Sequence, residues 1–368
     1  MAKSLYQALS QSVQLGELQL KNRVIMASMT RNRNIYPDDI NVDYYAQRAG
    51  AGLILSEGTL IEPQGTEWPE APGLWNSKQI AGWKKITDAV HKEGGLIWAQ
   101  LWHLGRAAHT LHNCGVPPPA PSAIAAKGGK FRLLNGTPGY PVPEAIENPK
   151  DYVKMYAQAA VNAKKAGFDG VELHAANGYL VSQFLEQHSN KRTDDYGGPI
   201  ENRTRFALEI IDEFINVWGA SRVGIKLSPS GGYNDMGEKY DDAVSLYSHL
   251  IKEIDSRKIG YIQIARHFEF FDPIGRGTPI EIEKVFRPLV KNSLFIANGD
   301  FSPEEGDQWV KEGKADAIAY ARPYLANPDF AERLFQGKEL SQLTDMSTLY
   351  LTKDGDKSIG YSDYPKAT

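Results

Sequence analysis

The sequence has a single cysteine among 368 residues, so an intramolecular disulfide is excluded and a reducing compartment is favoured. Its 45 acidic and 41 basic residues nearly balance, which argues against the strong positive charge of nucleic-acid-binding or polybasic membrane-binding proteins. No apolar run approaches the roughly 18 residues that a membrane span needs. Residues 1–12 lack a secretory signal pattern. We therefore expect a cytoplasmic protein without nucleic-acid or membrane partners, and the oligomeric state stays open.

Short apolar runs alternate with longer amphipathic segments along the chain. Eight runs are candidate strands: residues 23–28, 52–58, 96–103, 168–175, 223–229, 261–265, 294–300 and 317–322. Candidate helices cover residues 77–92, 149–166, 201–217, 241–255, 280–291 and 303–311, with a weaker one at 42–49.

This alternation predicts parallel βαβ units, and strands that are apolar throughout suit a sheet covered on both faces. The pattern favours one α/β domain over residues 1–368, a single (β/α)8 TIM barrel. An open doubly wound sheet is the alternative, and the lack of a Gly-x-Gly-x-x-Gly motif after the first strand argues against it. The sequence also lacks internal repeats, low-complexity tracts and an interdomain linker, and we interpret Cys114 as incidental.

Two segments exceed what a minimal barrel needs. Residues 105–143 form a long Gly- and Pro-rich stretch after the third strand. Residues 266–279 follow the sixth strand and carry Phe268, Phe270 and Phe271. Long loops inside compact domains are usually functional, so both are predicted as insertions at the C-terminal face, where barrel active sites lie.

The segment from Val171 to Leu180 runs off the end of the fourth strand and contains the strongest catalytic candidates. His174 and Asn177 can both donate hydrogen bonds to a carbonyl oxygen, and Tyr179 offers a phenolic proton. Two donors and an acid suit conjugate reduction, in which a carbonyl is polarised and the α-carbon is protonated. The alternative is a strand-end histidine and an aromatic residue that serve packing only.

Other strand ends carry groups suited to binding a ligand. Thr30 follows the first strand, although such a residue is more often a turn or cap residue. Gln100 shares a strand face with Trp102, and a buried amide favours a heterocyclic partner with donors and acceptors. The ends of the seventh and eighth strands, with Arg322, match the usual phosphate site of such barrels.

Taken together, these segments resemble the old yellow enzyme family of FMN-dependent ene-reductases from Leu20 to about Pro365. The resemblance is carried by the motifs Asn22-Arg23-Val24, Met29-Thr30-Arg31, Gln100 to Arg106, His174 to Leu180, Asp195 to Gly198, Glu201-Asn202-Arg203, Arg322 to Pro328 and Gly360 to Pro365. Their common order along the chain makes the resemblance specific.

The resemblance implies an FMN-dependent NAD(P)H oxidoreductase that reduces the C=C bond of α,β-unsaturated carbonyl compounds or similarly activated alkenes. NADPH or NADH would reduce the flavin, and flavin N5 would pass the hydride to the alkene. His174 and Asn177 would bind the substrate carbonyl, and Tyr179 would protonate the α-carbon. The partners implied are a small activated alkene and a nicotinamide donor.

The same resemblance implies a set of binding residues and no metal. Thr30, near the flavin C4 carbonyl, is typical of the classical branch of the family. FMN would be bound by Ala27, Ser28, Met29, Thr30, Gly58, Gln100, Lys226, Gly299, Asp300, Ala321 and Arg322. The substrate pocket would be lined by Trp68, Trp102 and Tyr350, besides His174 and Asn177.

The chain departs from the family pattern at five positions. Lys226 stands where Arg is usual beside flavin N1, so the charge is kept but the two-point fork is lost. Ala321 replaces Gly before the phosphate Arg, where a methyl group could crowd the loop. Ser28, Trp68 and Glu144 replace Pro, Tyr and Arg, which points to altered specificity.

Competing functions remain at this stage. A flavin-dependent quinone or oxygen reductase and an alkene isomerase use the same scaffold, although Tyr179 argues against the isomerase. A barrel lyase or aldolase on a phosphorylated substrate would need a Schiff-base lysine or metal ligands, and no His/Asp/Glu cluster accompanies Lys226. A non-catalytic flavin-binding protein is the last alternative. We interpret the charged segment 190–205 as a structural network.

Overall fold

The computed structural model describes residues 5–113, 115–128, 139–343 and 345–367, so Cys114 and part of the first insertion lie outside the described residues. Its strands are β1 (Val13–Leu15), β2 (Leu18–Leu20), β3 (Val24–Met26), β4 (Leu53–Leu55), β5 (Thr59–Leu60), β6 (Ile97–Trp102), β7 (Pro119–Ala120), β8 (Glu144–Ala145), β9 (Gly170–Ala175), β10 (Val223–Leu227), β11 (Tyr261–Ala265), β12 (Leu294–Asn298) and β13 (Ala317–Tyr320).

Eight of these strands close into a parallel barrel in the order β3, β4, β6, β9, β10, β11, β12 and β13. The barrel closes because β13 pairs with β3. Each of the eight lies within a run predicted from the sequence. The TIM barrel is confirmed, and the open-sheet alternative is wrong.

The helices are α1 (Asp39–Ala46), α2 (Ser77–Lys92), α3 (Pro149–Lys165), α4 (Leu180–Leu185), α5 (Ile200–Trp218), α6 (Tyr240–Ser256), α7 (Ile282–Val285), α8 (Pro303–Lys311), α9 (Arg322–Ala326) and α10 (Phe330–Gln336). Three of them begin where they were predicted because a polar side chain accepts a hydrogen bond from a backbone N–H of the first turn. The three capping residues are Asn76, Asn148 and Ser302.

Two helix predictions need correction. The helix predicted at 42–49 begins earlier, at Asp39, because Asp38 and Asn41 form a reciprocal capping box. The helix predicted over 280–291 ends at Val285. A short 3-10 turn, Arg287–Leu289, follows it, since Pro288 lacks the N–H that an α-helix interior requires.

An unpredicted hairpin of β1 and β2 lies against one end of the barrel. Its turn contains Gly16 at φ +55°, a conformation that glycine adopts without strain. Leu15 and Leu20 are fully buried and join Trp98 and Tyr261 in one apolar cluster. The hairpin therefore seals the end opposite the predicted active-site face.

The described parts of both insertions lie at the C-terminal face of the barrel, as predicted. Their contacts converge on the loop that follows β10. The Tyr140 hydroxyl donates to Asn234 Oδ1 at 3.0 Å, and the Lys127 backbone N–H donates to Asp235 at 2.8 Å. From the second insertion, Arg276 Nε donates to the same carboxylate at 2.6 Å.

The C-terminal segment, residues 345–361, is fastened to the loop after β3. Arg31 donates to the carbonyl oxygens of Leu349 and Gly360, at 3.1 and 2.6 Å. Arg33 donates to the carbonyl of Thr348 at 2.5 Å. Because both arginines are fully buried, these bonds fix the segment to the barrel.

The charged segment 190–205 forms contacts typical of a structural network. Arg192 pairs with Asp194 at 2.5 Å, and the Arg205 guanidinium donates to the carbonyl of Asp195 at 2.7 Å.

Within the described ranges, no helix is both long and apolar enough to cross a membrane.

Candidate active site

A cavity of about 620 Å³ opens among the carboxyl ends of the barrel strands. Of the residues predicted for the site, those that line it are Ser28, Met29, Thr30, Trp68, Gln100, Trp102, His174, Asn177, Tyr179, Lys226, Gly299, Asp300, Ala321, Arg322 and Tyr350. Residues from separate strand ends are thus brought to one space.

Ala27 and Gly58 are the predicted site residues that do not line this cavity. Ala27 is buried in the apolar cluster of the barrel interior. A Cβ atom on Gly58 would lie 2.5 Å from the Trp102 indole. A direct contact of Gly58 with a ligand stays a prediction, and the structure gives it a packing role behind Trp102.

His174, at the end of β9, is held as a neutral donor. Its Nδ1 accepts a hydrogen bond from the Ala176 backbone N–H at 3.3 Å, so the ring proton resides on Nε2. Burial and the neighbouring Lys226 hold the pKa of His174 well below its usual range. The ring therefore presents a neutral N–H at neutral pH.

The Asn177 turn is fixed from both sides by the loop after β10. Asn177 has φ +57°, and its N–H donates to Ser228 Oγ at 2.8 Å. Its carbonyl accepts from Asn234 Nδ2 at 2.8 Å. Gly178 at φ +74° is required here, because a Cβ atom would lie 2.7 Å from the carbonyl oxygen of Tyr233.

Tyr179 follows this turn and packs against the two rings beside it. Its ring meets those of His174 and Trp102 edge to face, with centroids 5.0 Å away in each case. The indole of Trp102 stacks nearly parallel to the His174 ring at 5.8 Å. The three side chains thus form one wall whose orientations depend on each other.

Gln100, on β6, already has two hydrogen-bond partners at the base of the cavity. Its Nε2 donates to Glu172 at 2.7 Å, and its Oε1 accepts from Ser28 Oγ at 2.6 Å. Glu172 also accepts from the Tyr261 hydroxyl at 2.9 Å. The sequence analysis missed Glu172 as a partner of Gln100; the adjacency of β6 and β9, with Gln100 opposite Glu172, brings them together.

Lys226 lies beside His174 in the register of β9 and β10. Its side chain is buried, and it has no hydrogen-bond or ion-pair partner within the part of the chain that the structure describes. Burial lowers the pKa of Lys226, and the charge of Glu172 opposes that shift. A buried ammonium on the cavity wall favours a ligand with an electronegative or anionic edge.

The opposite end of the cavity carries exposed positive charge. Arg322 begins α9 and pairs with Asp300 at 2.5 Å. Arg266, which the sequence analysis did not select, also lines the cavity, stacks on Phe301 at 3.9 Å and pairs with Glu305. The position of Arg266 directly after β11 is the sequence signal that could have identified it as a site residue.

Two features at this end bear on earlier predictions. Gly299, at φ +129°, allows Arg266 to approach, since a Cβ atom there would lie 2.5 Å from Arg266 Cγ. Ala321 packs against the apolar cluster that fills the barrel interior. The crowding of the phosphate-binding loop by Ala321 stays a prediction.

Aromatic side chains form the outer wall. The Trp68 and Tyr350 rings lie 4.7 Å apart, and Phe268 and Phe270 of the second insertion also line the cavity. Phe270 is 78% exposed. The side chain of Phe271 lies outside the described part of the structure. This wall is suited to a flat apolar ligand.

In the described ranges, no three His, Cys, Asp or Glu side chains are grouped so that they could hold a metal ion.

Comparison with known proteins gives the family. A model of the NADH:flavin oxidoreductase / NADH oxidase family matches residues 8–341. The chain belongs to this family. It is 39% identical to a probable flavin mononucleotide-dependent alkene reductase of Leishmania infantum, over 95% of each chain.

Solved structures agree with this assignment. An old yellow enzyme homologue from Zymomonas mobilis is 35% identical, with a TM-score of 0.89 over 98% of this chain and 99% of that one. Morphinone reductase in complex with tetrahydroNAD is 38% identical, with a TM-score of 0.87 over 98% of both chains.

These findings confirm the resemblance to old yellow enzymes and the prediction of an FMN-dependent NAD(P)H oxidoreductase. The donor set fits the cofactor. Gln100 offers an oriented amide, Lys226 offers a buried cation without a described partner, and Arg322 offers a second cation across the cavity. A flavin carries a polar ring edge at one end and a phosphate at the other, which matches this distribution of charge.

Proposed function

We propose that the protein reduces the C=C bond of an α,β-unsaturated carbonyl compound or a similarly activated alkene, with FMN as cofactor and NADPH or NADH as donor. The observation that carries the proposal is the single turn that presents His174, Asn177 and Tyr179 to one cavity. Named relatives add support: the Leishmania protein is described as an alkene reductase, and a rice protein 35% identical to this chain is 12-oxophytodienoate reductase 7.

When bound, FMN would supply the hydride-transfer chemistry between the nicotinamide and the alkene. The residues that we assign to its binding at the cavity are Ser28, Met29, Thr30, Gln100, Lys226, Gly299, Asp300, Ala321 and Arg322, with Ala27 and Gly58 behind them. In this assignment Lys226 and Gln100 would hold the polar edge of the ring, and Arg322 would hold the phosphate.

His174 and Asn177 hold the substrate by its carbonyl oxygen. The Ala176 N–H fixes the histidine tautomer, so Nε2–H donates one hydrogen bond. The Asn177 side-chain amide donates the second, from a backbone clamped by Ser228 and Asn234. Two donors that are already oriented stabilise negative charge on the oxygen as the β-carbon is reduced.

Tyr179 supplies the proton to the α-carbon. Its place two residues beyond Asn177 puts the phenol on the same wall as the carbonyl donors. The edge-to-face contacts with His174 and Trp102 limit the rotation of its ring. Tyr179 as a whole is 7% exposed, which restricts access of bulk water to the reacting carbon.

We assign substrate contact to Trp68, Trp102 and Tyr350 as well. Trp68 and Tyr350 touch one another across the mouth of the cavity, and Trp102 backs the catalytic wall. This enclosure supports a small activated alkene and a nicotinamide as the partners.

An anaerobic cycle tests the proposal. The purified protein is reduced with NADPH or NADH, a cyclic enone is added, and the visible flavin band is followed. Bleaching followed by enone-driven recovery is the expected result. Bleaching without recovery would favour a quinone reductase, an oxygen reductase or an isomerase. A protein without a flavin band, even after FMN is added, would return a lyase to first place.

We further propose that residues 1–368 form one domain in the cytoplasm. The barrel strands run from Val24 to Tyr320. The segment beyond them returns to the loop after β3, where Arg31 and Arg33 bind it. A single cysteine supports the reducing compartment. Fractionation of cells that express the tagged chain tests the location.

A further inference from the structure

A row of hydrogen-bonded side chains lies beneath the cavity. It runs from Ser28 through Gln100 and Glu172 to Tyr261, with donor–acceptor distances of 2.6, 2.7 and 2.9 Å. Glu172 and Tyr261 are fully buried and do not line the cavity, whereas Ser28 and Gln100 do. The row therefore connects the cavity wall to a carboxyl group in the barrel interior.

Glu172 determines which way the Gln100 amide faces. With Nε2 on the carboxylate and Oε1 on the Ser28 hydroxyl, both amide ends are satisfied. The reversed amide would set its carbonyl oxygen against a carboxylate oxygen, which is repulsive. Any ligand on the cavity side of Gln100 thus meets an amide whose orientation is already fixed.

Glu172 also has the surroundings of a carboxylate rather than a carboxylic acid. Each of its two oxygens accepts a hydrogen bond, one from Gln100 and one from Tyr261. The cation that faces it is Lys226 on the neighbouring strand β10. Burial raises the pKa of Glu172, and Lys226 and both hydrogen bonds oppose that rise. One buried negative charge therefore stands against one buried positive charge.

We propose that Glu172 is a positioning residue that orients Gln100 and that also lowers the midpoint potential of bound FMN by partly neutralising Lys226. The proposal rests on the proposed function, because it takes FMN as the occupant of the cavity. Two-electron reduction adds negative charge to the flavin ring system. A cation beside the ring favours the reduced form, and a carboxylate behind that cation opposes it.

The first test is Glu172→Gln, which removes the charge and keeps the side-chain shape. The midpoint potential of the FMN-bound protein is measured by anaerobic titration against a reference dye. Reduced FMN should bind about tenfold more tightly relative to oxidised FMN, which for a two-electron couple raises the potential by about 30 mV.

Asp255→Asn is the control, since Asp255 is also a buried acidic residue but accepts its hydrogen bonds from the backbone N–H groups of Lys291, Asn292 and Ser293, none of which lines the cavity, whereas Gln100 does. Its potential should equal that of the wild type. An unchanged potential in Glu172→Gln, or an equal rise in both variants, overturns the proposal.

Ser28→Ala tests the hydrogen-bonded row without touching a buried charge, and its FMN affinity can be measured even if Glu172→Gln does not fold. Loss of the hydroxyl frees one end of Gln100, so the Kd for FMN should rise several-fold while the potential moves less than in Glu172→Gln. Unchanged FMN affinity would overturn the positioning role. These failures differ from failure of the proposed function, which would appear as a wild-type protein that binds no FMN.

Discussion

Tyr179→Phe separates proton delivery from every other task of the site. The substitution keeps the ring and so keeps the contacts with His174 and Trp102, whose centroids lie 5.0 Å from the Tyr179 ring. The only group removed is one hydroxyl, whose net contribution to stability is about 1 kcal/mol. The melting temperature should therefore fall by less than about 4 °C.

The kinetic effect should be much larger than the effect on stability. A positioned general acid contributes about 100-fold to 10,000-fold to the rate, and we expect the rate of alkene reduction to fall by a factor in that range. Reduction of bound FMN by the nicotinamide should stay within about twofold of the wild type, because that step uses no proton from Tyr179.

Stopped-flow absorbance under anaerobic conditions measures the two half-reactions separately. Flavin bleaching with NADPH or NADH reports the first, and enone-driven recovery reports the second. An equal loss in both half-reactions would show that Tyr179 supports the cavity as a whole and would remove it as the proton donor. A full rate of recovery would likewise refute the assignment.

Three further predictions follow from the same structure. His174→Ala combined with Asn177→Ala should weaken binding of a simple phenol, followed by flavin absorbance, by about tenfold to 100-fold, as two lost hydrogen bonds predict, and unchanged binding would remove both residues from the carbonyl site. Burial raises the pKa of Glu186 to about 8, above its value in the unfolded chain, so the stability it contributes is present at low pH and is lost as the pH rises toward about 8. Denaturant unfolding should therefore show that the wild type loses about 1 kcal/mol per pH unit relative to Glu186→Gln between about pH 5 and pH 8, and parallel pH profiles would contradict this. Gly58→Ala should destabilise the fold by about 1–3 kcal/mol and raise the KM for the enone, because the new methyl group displaces Trp102; a second substitution, Trp102→Phe, should recover part of the stability, and simple additivity of the two changes would exclude the contact as the cause.

The barrel could be predicted from the sequence because its strands are short, apolar and bounded by polar turns. The hairpin of β1 and β2 could not, since each strand has three residues and includes a glutamine. Helix α4 is buried at every position, so it lacks the periodic polar face by which an amphipathic helix is recognised. Pro288 is the local signal that shortens the helix predicted at 280–291, because proline lacks the N–H that an α-helix interior requires.

At the site, residues directly after strand ends were predictable because all parallel strands end at one face of a barrel. Their mutual contacts were not. The hydrogen bond between Gln100 and Glu172 depends on the register of β6 and β9. The clamp on Asn177 depends on Asn234, which lies 57 residues further along the chain. Pairings of this kind are decided by tertiary packing, which no local pattern encodes.

The fastening of residues 345–361 by Arg31 and Arg33 has a consequence for biosynthesis. Tyr350 belongs to a cavity wall that Arg31 and Arg33 hold in place. Arg31 is synthesised 318 residues before Leu349, whose carbonyl it binds. The barrel strands can all be translated while this wall is still inside the exit tunnel. The enclosed cavity is therefore completed only after residues 345–361 have been synthesised, and a nascent chain has an open site until this segment docks.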